Sequence, residues 1–338
     1  LTSEGTEAQE IPQKASKELF MTSRSAAEIT RRHFLAVGGT SVAAACLNPG
    51  RLFADPGDLV EIAMKESATA KITIQPLRRN ITALLGPGGN LAVLTGPDGK
   101  LLIDAEIVTA RPQVSAALAS INADPVKQLI NTHWHFDHCG GNDWLHQAGA
   151  SILAQENTRK HLLKDVRVEG WKHTFLASPP GAIPTTVFQE DHTVHANNST
   201  LVLKHYLPAH TDSDISVHFA EAEIFHTGDT FWNRSYPFLD YWTGGSIDGT
   251  IRAAEANIAK VTDKMIVIPG HGAVSGRADL ILFRDVMVGI RQRVAALKKQ
   301  GRSLDEIVAA KPGASTDEEW GTSFINPSLF IALVYQGV

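Results

Sequence analysis

His133-Trp134-His135-Phe136-Asp137-His138 packs three imidazoles and a carboxylate into six residues, directly after an apolar run that reads as a strand, Val126 to Ile130. Neutral imidazole and carboxylate oxygen are the ligands that a borderline ion such as Zn²⁺ takes, and four of them this close can serve two ions. On an extended chain side chains alternate, so His133 and His135 face one way. Asp137-His138-Cys139-Gly140-Gly141 reads as a turn that re-aims Asp137 and His138. The stretch predicts a loop with two adjacent metal positions. A chance histidine cluster in a solvated loop is the competing reading, and the sequence downstream weighs against it.

Three more ligand types stand downstream, each at the end of an apolar run. Pro208-Ala209-His210-Thr211-Asp212 follows the alternating stretch Leu201 to Leu207. Phe225-His226-Thr227-Gly228-Asp229 follows Ala222-Glu223-Ile224, and Pro269-Gly270-His271-Gly272 follows Met265 to Ile268. Strand ends of one sheet converge along one edge, so residues far apart in sequence can meet there.

With these residues in place the chain resembles the metallo-β-lactamase superfamily, whose pattern is HxHxDH followed by His, Asp and His at later strand ends. The resemblance spans about residues 80 to 275, with helical sequence continuing to the C-terminus. It implies an α/β fold, the αβ/βα four-layer sandwich with a helical C-terminal segment. Carried over position by position, His133, His135 and His210 hold a first ion, Asp137, His138 and His271 a second, and Asp229 bridges both. The implied cofactor is two Zn²⁺, with Fe or Mn suited to the same ligands. The implied chemistry is attack on a carbonyl carbon by a metal-bridging hydroxide, since metal can lower the pKa of bound water to about 7. Asp137 is the catalytic residue in this reading, orienting the hydroxide and shuttling its proton.

The same resemblance separates branches. β-Lactamases of this fold place Cys or Ser in the region where this chain has Asp229, so Asp229 points toward branches resembling glyoxalase-II-type thioesterases and lactonases. The reading is a zinc-dependent hydrolase of an ester, lactone, thioester or amide, with weak β-lactam cleavage as a side activity. Its alternatives are a dedicated β-lactamase and an iron-dependent oxidoreductase resembling sulfur dioxygenases. A non-catalytic binding protein on a retained scaffold is a third, against which the seven intact ligand positions argue.

Composition fits one catalytic domain, taken as residues 55–338, behind an N-terminal segment, residues 1–54. Sixteen prolines and twenty-seven glycines suit a globular chain with many turns. A net charge of −5 without a basic stripe makes nucleic acid a poor partner, leaving a small-molecule substrate; no oligomeric state is indicated. Thr30-Arg31-Arg32-His33-Phe34-Leu35, followed by the small and apolar run Ala36 to Leu47, looks like a twin-arginine signal. It implies the twin-arginine export machinery as a partner and a periplasmic destination; an amphipathic helix with two chance arginines is the competing reading. The run is too short for a stable membrane span, which needs about 20 residues. Ala43-Ala44-Ala45-Cys46 allows cleavage near Cys46 and a lipid-anchored form, although Leu is usual where Ala43 stands. Residues 1 to 20 are polar and precede Met21, so the native start is either Met21 or Leu1 read from an alternative start codon. Removing this segment leaves Cys139 alone, with no internal disulfide, and a small packed residue is its expected role.

Short runs at Ile81–Leu85, Leu91–Thr95 and Leu101–Asp104 read as a meander, Val114 to Ile121 as a helix, then Asn142 to Gln147 as a helix leading to strand Ser151–Ala154. Strands follow near Val194 and at Leu201–Tyr206, Ile215–Phe219 and Glu223–Phe225, then helix Ile247–Val261, strand Met265–Ile268, and helices at about Ala278–Lys299 and Leu304–Ala309. Phe231, Trp232, Tyr236, Phe238, Tyr241 and Trp242 crowd the stretch after Asp229, with Trp171 and Phe175 in the insertion before His210. They are either aromatic walls for an apolar substrate group or core beneath a long loop. Of the other histidines, His146, His161, His173, His192, His195, His205 and His218 are expected at the surface or satisfied in the core. His226, in the turn leading to Asp229, has an expected structural role.

Overall fold

The computed structural model describes residues 57–338. In chain order its elements are α1 (Gly57–Ser67), β1 (Thr73–Pro76), β2 (Ile81–Leu85), β3 (Leu91–Leu94), β4 (Lys100–Ile103), α2 (Arg111–Ile121) and β5 (Val126–Asn131). Next come α3 (Phe136–Cys139), α4 (Asn142–Gln147), β6 (Ser151–Gln155), α5 (Glu156–Leu162), β7 (Val166–Val168), β8 (His173–Phe175), β9 (Thr186–Phe188) and β10 (Asp191–Ala196). The second half holds β11 (Ser199–His205), β12 (Ile215–Phe219), β13 (Ile224–His226), α6 (Ile247–Lys260), β14 (Ile266–Ile268), α7 (Arg277–Lys299), α8 (Leu304–Ala309), α9 (Asp317–Trp320) and α10 (Pro327–Gln336). The strands form a seven-stranded sheet, ordered β1-β2-β3-β4-β5-β6-β9, a five-stranded sheet, β10-β11-β12-β13-β14, and the separate hairpin β7-β8.

Period-two alternation explains the layering. Leu101 and Ile103 of β4 and Ile130 of β5 point inward, against Leu203, Val217, Ile224 and Ile268 of the other sheet. Leu102 and Leu129, one residue out of phase, point outward onto Val114, Ala117 and Leu118 of α2 and Leu145 of α4. On the far side Phe225 and Val267 face away from the partner sheet, toward Ile247 and Ala254 of α6 and Leu280, Phe283, Met287 and Ile290 of α7. The result is helix, sheet, sheet, helix: the four-layer α/β sandwich with a helical C-terminal segment that the sequence implied. Local signals fix several helix ends. Ser246 accepts from the Gly249 amide at the start of α6, Ser303 and Glu306 form a capping box on α8, and Asn326 with Pro327 starts α10.

Two pairings set up the site. β4 and β5 run parallel, as do β13 and β14, so the C-terminal ends of β5, β13 and β14 lie at one edge. The segments beginning Thr132, Thr227 and Pro269 leave from that edge. Two readings of the sequence are corrected. The residues from Asp137 onward are not a plain turn: Phe136–Cys139 is one turn of helix, with the His138 and Cys139 amides both donating to the His135 carbonyl. β5 also ends at Asn131, so His133 sits in a bend and His135 is the extended residue just before α3, neither on a continued strand. The segment 1–54 and its boundary at 54/55, Met21, Arg31, Arg32 and Cys46 all lie outside the described residues. Among the described residues, no helix is long and apolar enough to cross a membrane.

Candidate metal centre

All seven predicted residues are brought together. His133, His135, His210 and Asp229 form one group of convergent ligand atoms and Asp137, His138 and His271 a second. The Asp229 carboxylate lies between them. Its Oδ2 is 3.8 Å from His133 Nε2 and 3.4 Å from His210 Nε2, while its Oδ1 is 3.1 Å from His138 Nε2. His271 Nε2 is 3.3 Å from both Asp229 Oδ2 and Asp137 Oδ2.

Which nitrogen each ring presents is decided behind the ring. Asp104 accepts from the Thr132 amide and hydroxyl, both at 2.7 Å, and faces His138 Nδ1 at 2.8 Å. The Thr132 hydroxyl, having given its proton to Asp104, accepts at 3.1 Å from His133 Nδ1. His210 Nδ1 donates to the Phe238 carbonyl at 2.8 Å, and His135 Nε2 donates to Asp240 Oδ2 at 3.0 Å. The outer nitrogen of each of these four rings is therefore engaged, and the inner nitrogen is the one left to ligate. The inward atoms crowd: His135 Nδ1 is 2.9 Å from His210 Nε2, and His138 Nε2 is 3.4 Å from His271 Nε2. Two lone pairs cannot face each other at that separation, so a proton or a metal ion belongs between them. His133 Nε2 and Asp229 Oδ1 are buried with no hydrogen-bond partner, which is costly unless another group completes them.

The electrostatics agree. Burial works against charge on His138 and His271, yet Asp229 and the neighbouring carboxylates outweigh it, holding His138 well above the usual imidazole range and His271 up to about 9. Burial, with help from neighbouring His138, pushes His133 well below that range, so it stays a neutral donor. The carboxylates thus draw protons onto His138 and His271, positive charge that divalent ions would supply in their place. Five imidazoles and two carboxylates without thiolate suit Zn²⁺, Fe or Mn.

Four supports were not read from the sequence. Asp104 and Asp240 are wholly buried yet look like strand-end and loop acids in the sequence. Asp214 accepts from the amides of His210 and Thr211 and so fixes the His210 turn; burial pushes its carboxyl up to about 6. Glu106 accepts from the amides of Gly88 and Ile107 at 2.7 Å each, holding the loop before β3 against the second ligand group. Close approach explains two glycines: a Cβ at Gly89 would stand 2.2 Å from the His138 ring, and one at Gly270 would stand 2.0 Å from Asp229 Oδ1.

His226 is structural, accepting from the Gly228 amide and donating to the Asn90 carbonyl, while Asn90 Nδ2 binds the carbonyls of Pro269 and Gly272 around His271. Cys139 is buried and its thiol donates to the His133 carbonyl at 3.1 Å. The aromatic residues divide. Phe231 and Tyr236 are fully buried against Phe283 and Phe330, which makes them core. Trp171 lies 5.2 Å from the His135 ring and stacks on Phe238, and Trp232 lies 4.1 Å from the His271 ring.

The chain is similar to several known proteins. The hydroxyacylglutathione hydrolase of Saccharomyces cerevisiae mitochondria is 27% identical over 175 residues, half of this chain and 56% of that protein. The stereoselective inverting sec-alkylsulfatase Pisa1 from Pseudomonas sp. is 17% identical with a TM-score of 0.58, covering 86% of this chain and 54% of its own. A metallo-beta-lactamase from Pontibacter korlensis is 14% identical with a TM-score of 0.52, covering 64% of this chain and 99% of its own. At those identities the two structures speak for the fold. The model of the metallo-beta-lactamase superfamily matches residues 85–271, more than half of the chain and the span from the end of β2 to His271, and the chain belongs to that superfamily.

Proposed function

We propose that the chain is a dizinc hydrolase that opens the carbonyl of an ester, lactone, thioester or amide. The observation that carries this reading is the Asp229 carboxylate, with one oxygen beside His133 and His210 and the other beside His138. Two divalent ions held there would supply a Lewis acid for the carbonyl oxygen and a hydroxide at neutral pH. His133, His135 and His210 would hold one ion, Asp137, His138 and His271 the other, and Asp229 both. Asp137 is the more exposed carboxylate of the centre, 14% against 1% for Asp229, so it is the one placed to take a proton from attacking water and deliver it to a leaving group. Asp104 and Asp240 keep His138 and His135 in the tautomers that ligation needs.

Nothing in the centre competes as a nucleophile. Burial raises the Cys139 thiol well above its usual range, which keeps it protonated. The thioester class gains support from the yeast hydroxyacylglutathione hydrolase, and a β-lactam amide fits as a side substrate. Export by the twin-arginine machinery to the periplasm, with lipid anchoring at Cys46 as a variant form, belongs to the same proposal and rests on the sequence from Thr30 to Cys46. The test is elemental analysis of protein purified without added metal, beside a panel of ester, lactone, thioester and β-lactam substrates. Zinc near two per chain with chelator-sensitive turnover is expected. Near-stoichiometric iron with little zinc would replace this reading with the oxidoreductase.

A further inference from the structure

Solvent reaches the centre at one place. Among the seven site residues, His271 and Asp137 keep 17% and 14% of their side chains exposed, while His133, His135, His138, His210 and Asp229 keep at most 1%. A substrate must therefore arrive over Asp137 and His271. Both flanks of that opening are aromatic. Beside Asp137, half-buried Phe136 stacks on half-buried Phe175 with ring centroids 5.5 Å apart and planes at 21°, and Trp171 meets Phe136 edge-on at 5.8 Å. Beside His271 stands the Trp232 ring, at 4.1 Å. Leu176, next in the chain to Phe175, is 74% exposed, a large apolar side chain with no packing to explain it.

Ring contacts tie the wall into the rest of the fold. Trp171 stacks on Phe238 at 4.2 Å, and Phe238 lies nearly parallel to Trp242, which ties the β7-β8 turn to the loop after Asp229. Trp171 also packs edge-on to Phe175. None of these side chains carries charge. An apolar surface continuous with a polar, ion-binding centre is the layout in which the reacting group is fixed at one end and an apolar group is sheltered beside it. We propose that Phe136, Phe175 and Leu176, backed by the buried rings of Trp171 and Trp232, form a subsite for the apolar acyl chain or ring of the substrate. The enzyme then selects medium-chain or aromatic acyl groups over acetyl. This inference rests on the hydrolase reading for the location of the reacting carbonyl.

Two readouts separate the inference from that reading. On the zinc-loaded protein, alkyl hydroxamates from acetyl to octanoyl are titrated by calorimetry, and kcat/KM is measured for p-nitrophenyl esters of the same chain lengths. Affinity and kcat/KM are expected to rise about two- to fourfold per added methylene, the span from partial to full burial of each group. Phe175→Ala should remove most of that dependence. Leu176→Ser, at an exposed position where folding is not at risk, should weaken it for the longest chains. Ile74→Ser, on the edge strand β1, should leave both series as in wild type. Hydroxamate affinity that is flat with length, or absent, overturns the subsite, as does a Phe175→Ala series parallel to wild type. Length-dependent binding without chelator-sensitive ester turnover overturns the hydrolase reading and leaves the subsite standing.

Discussion

Asp240→Asn is the most informative single substitution, because it changes one atom and should unload one ion. Asp240 is wholly buried and does two separable jobs. Its Oδ1 accepts from the amides of Trp242 at 3.0 Å and Thr243 at 3.2 Å, which holds its own loop. Its Oδ2 accepts from the Thr243 hydroxyl and from His135 Nε2. Asparagine can keep its carbonyl oxygen on the loop amides, and its NH₂ then meets two donors. His135 can relieve that clash only by moving its proton to Nδ1, the nitrogen that faces His210 and Asp229, and a protonated nitrogen cannot ligate. Loss of such an outer partner costs roughly 10- to 100-fold in metal affinity, about 1.4–2.7 kcal/mol. The loss should fall on the ion held by His133, His135 and His210, since His138, in the other ligand group, takes its support from Asp104. The assay is a competitive zinc titration against a chromophoric chelator that resolves two steps, with metal-free thermal melts as a control on the loop. Wild-type affinity at both steps, or an equal loss at both, would refute the argument from the tautomer.

Four further outcomes are expected. Asp137→Ala should lower kcat by about 10²–10⁴-fold, the usual worth of a positioned acid–base group, while the far-ultraviolet dichroism stays native; wild-type turnover in that variant defeats the proposed mechanism. His271→Ala should reduce occupancy of the second ion more than the first, read by elemental analysis after dialysis, and equal losses would contradict the partition. Gly270→Ala places a methyl group where Asp229 Oδ1 now stands, so it should cut total zinc below one per chain; two zinc ions in that variant would show that the bridging carboxylate has room to move. Arg31→Lys with Arg32→Lys should abolish appearance of the protein in the periplasmic fraction, and unchanged export would point to another route.

The seven converging residues were legible because each announces itself locally. HxHxDH is dense, and His210, Asp229 and His271 each follow an apolar strand across a Gly- or Pro-bearing turn. The sheet core was legible for the same reason, since alternation in Leu101 to Ile103 or Ile224 to His226 assigns each residue to a face. What was not legible depends on contacts remote in sequence. Asp104 and His138 are 34 residues apart and Asp240 and His135 are 105 apart, and neither acid differs locally from an ordinary turn residue. β7, β8 and β9 are three residues long and each is broken by polar residues, so no apolar run marks them as Met265 to Ile268 marks β14, and β1 is exposed along most of its length. α10 escaped because its run Leu329 to Tyr335 is apolar on nearly all sides, which leaves no 3.6-residue pattern, although Asn326-Pro327 signalled its start. The aromatic cluster after Asp229 could not be divided from sequence, because Phe231 and Phe238 differ only in which helix or hairpin reaches them.

The central claim is that Asp229 sits between two ions, and an anomalous difference map at the zinc edge from crystals of the natively loaded protein tests it most directly. The account predicts two peaks about 3.5–4 Å apart, one beside His133, His135 and His210, the other beside Asp137, His138 and His271, with the Asp229 carboxylate between them. A single peak, or two peaks with Asp229 in contact with one alone, would contradict it.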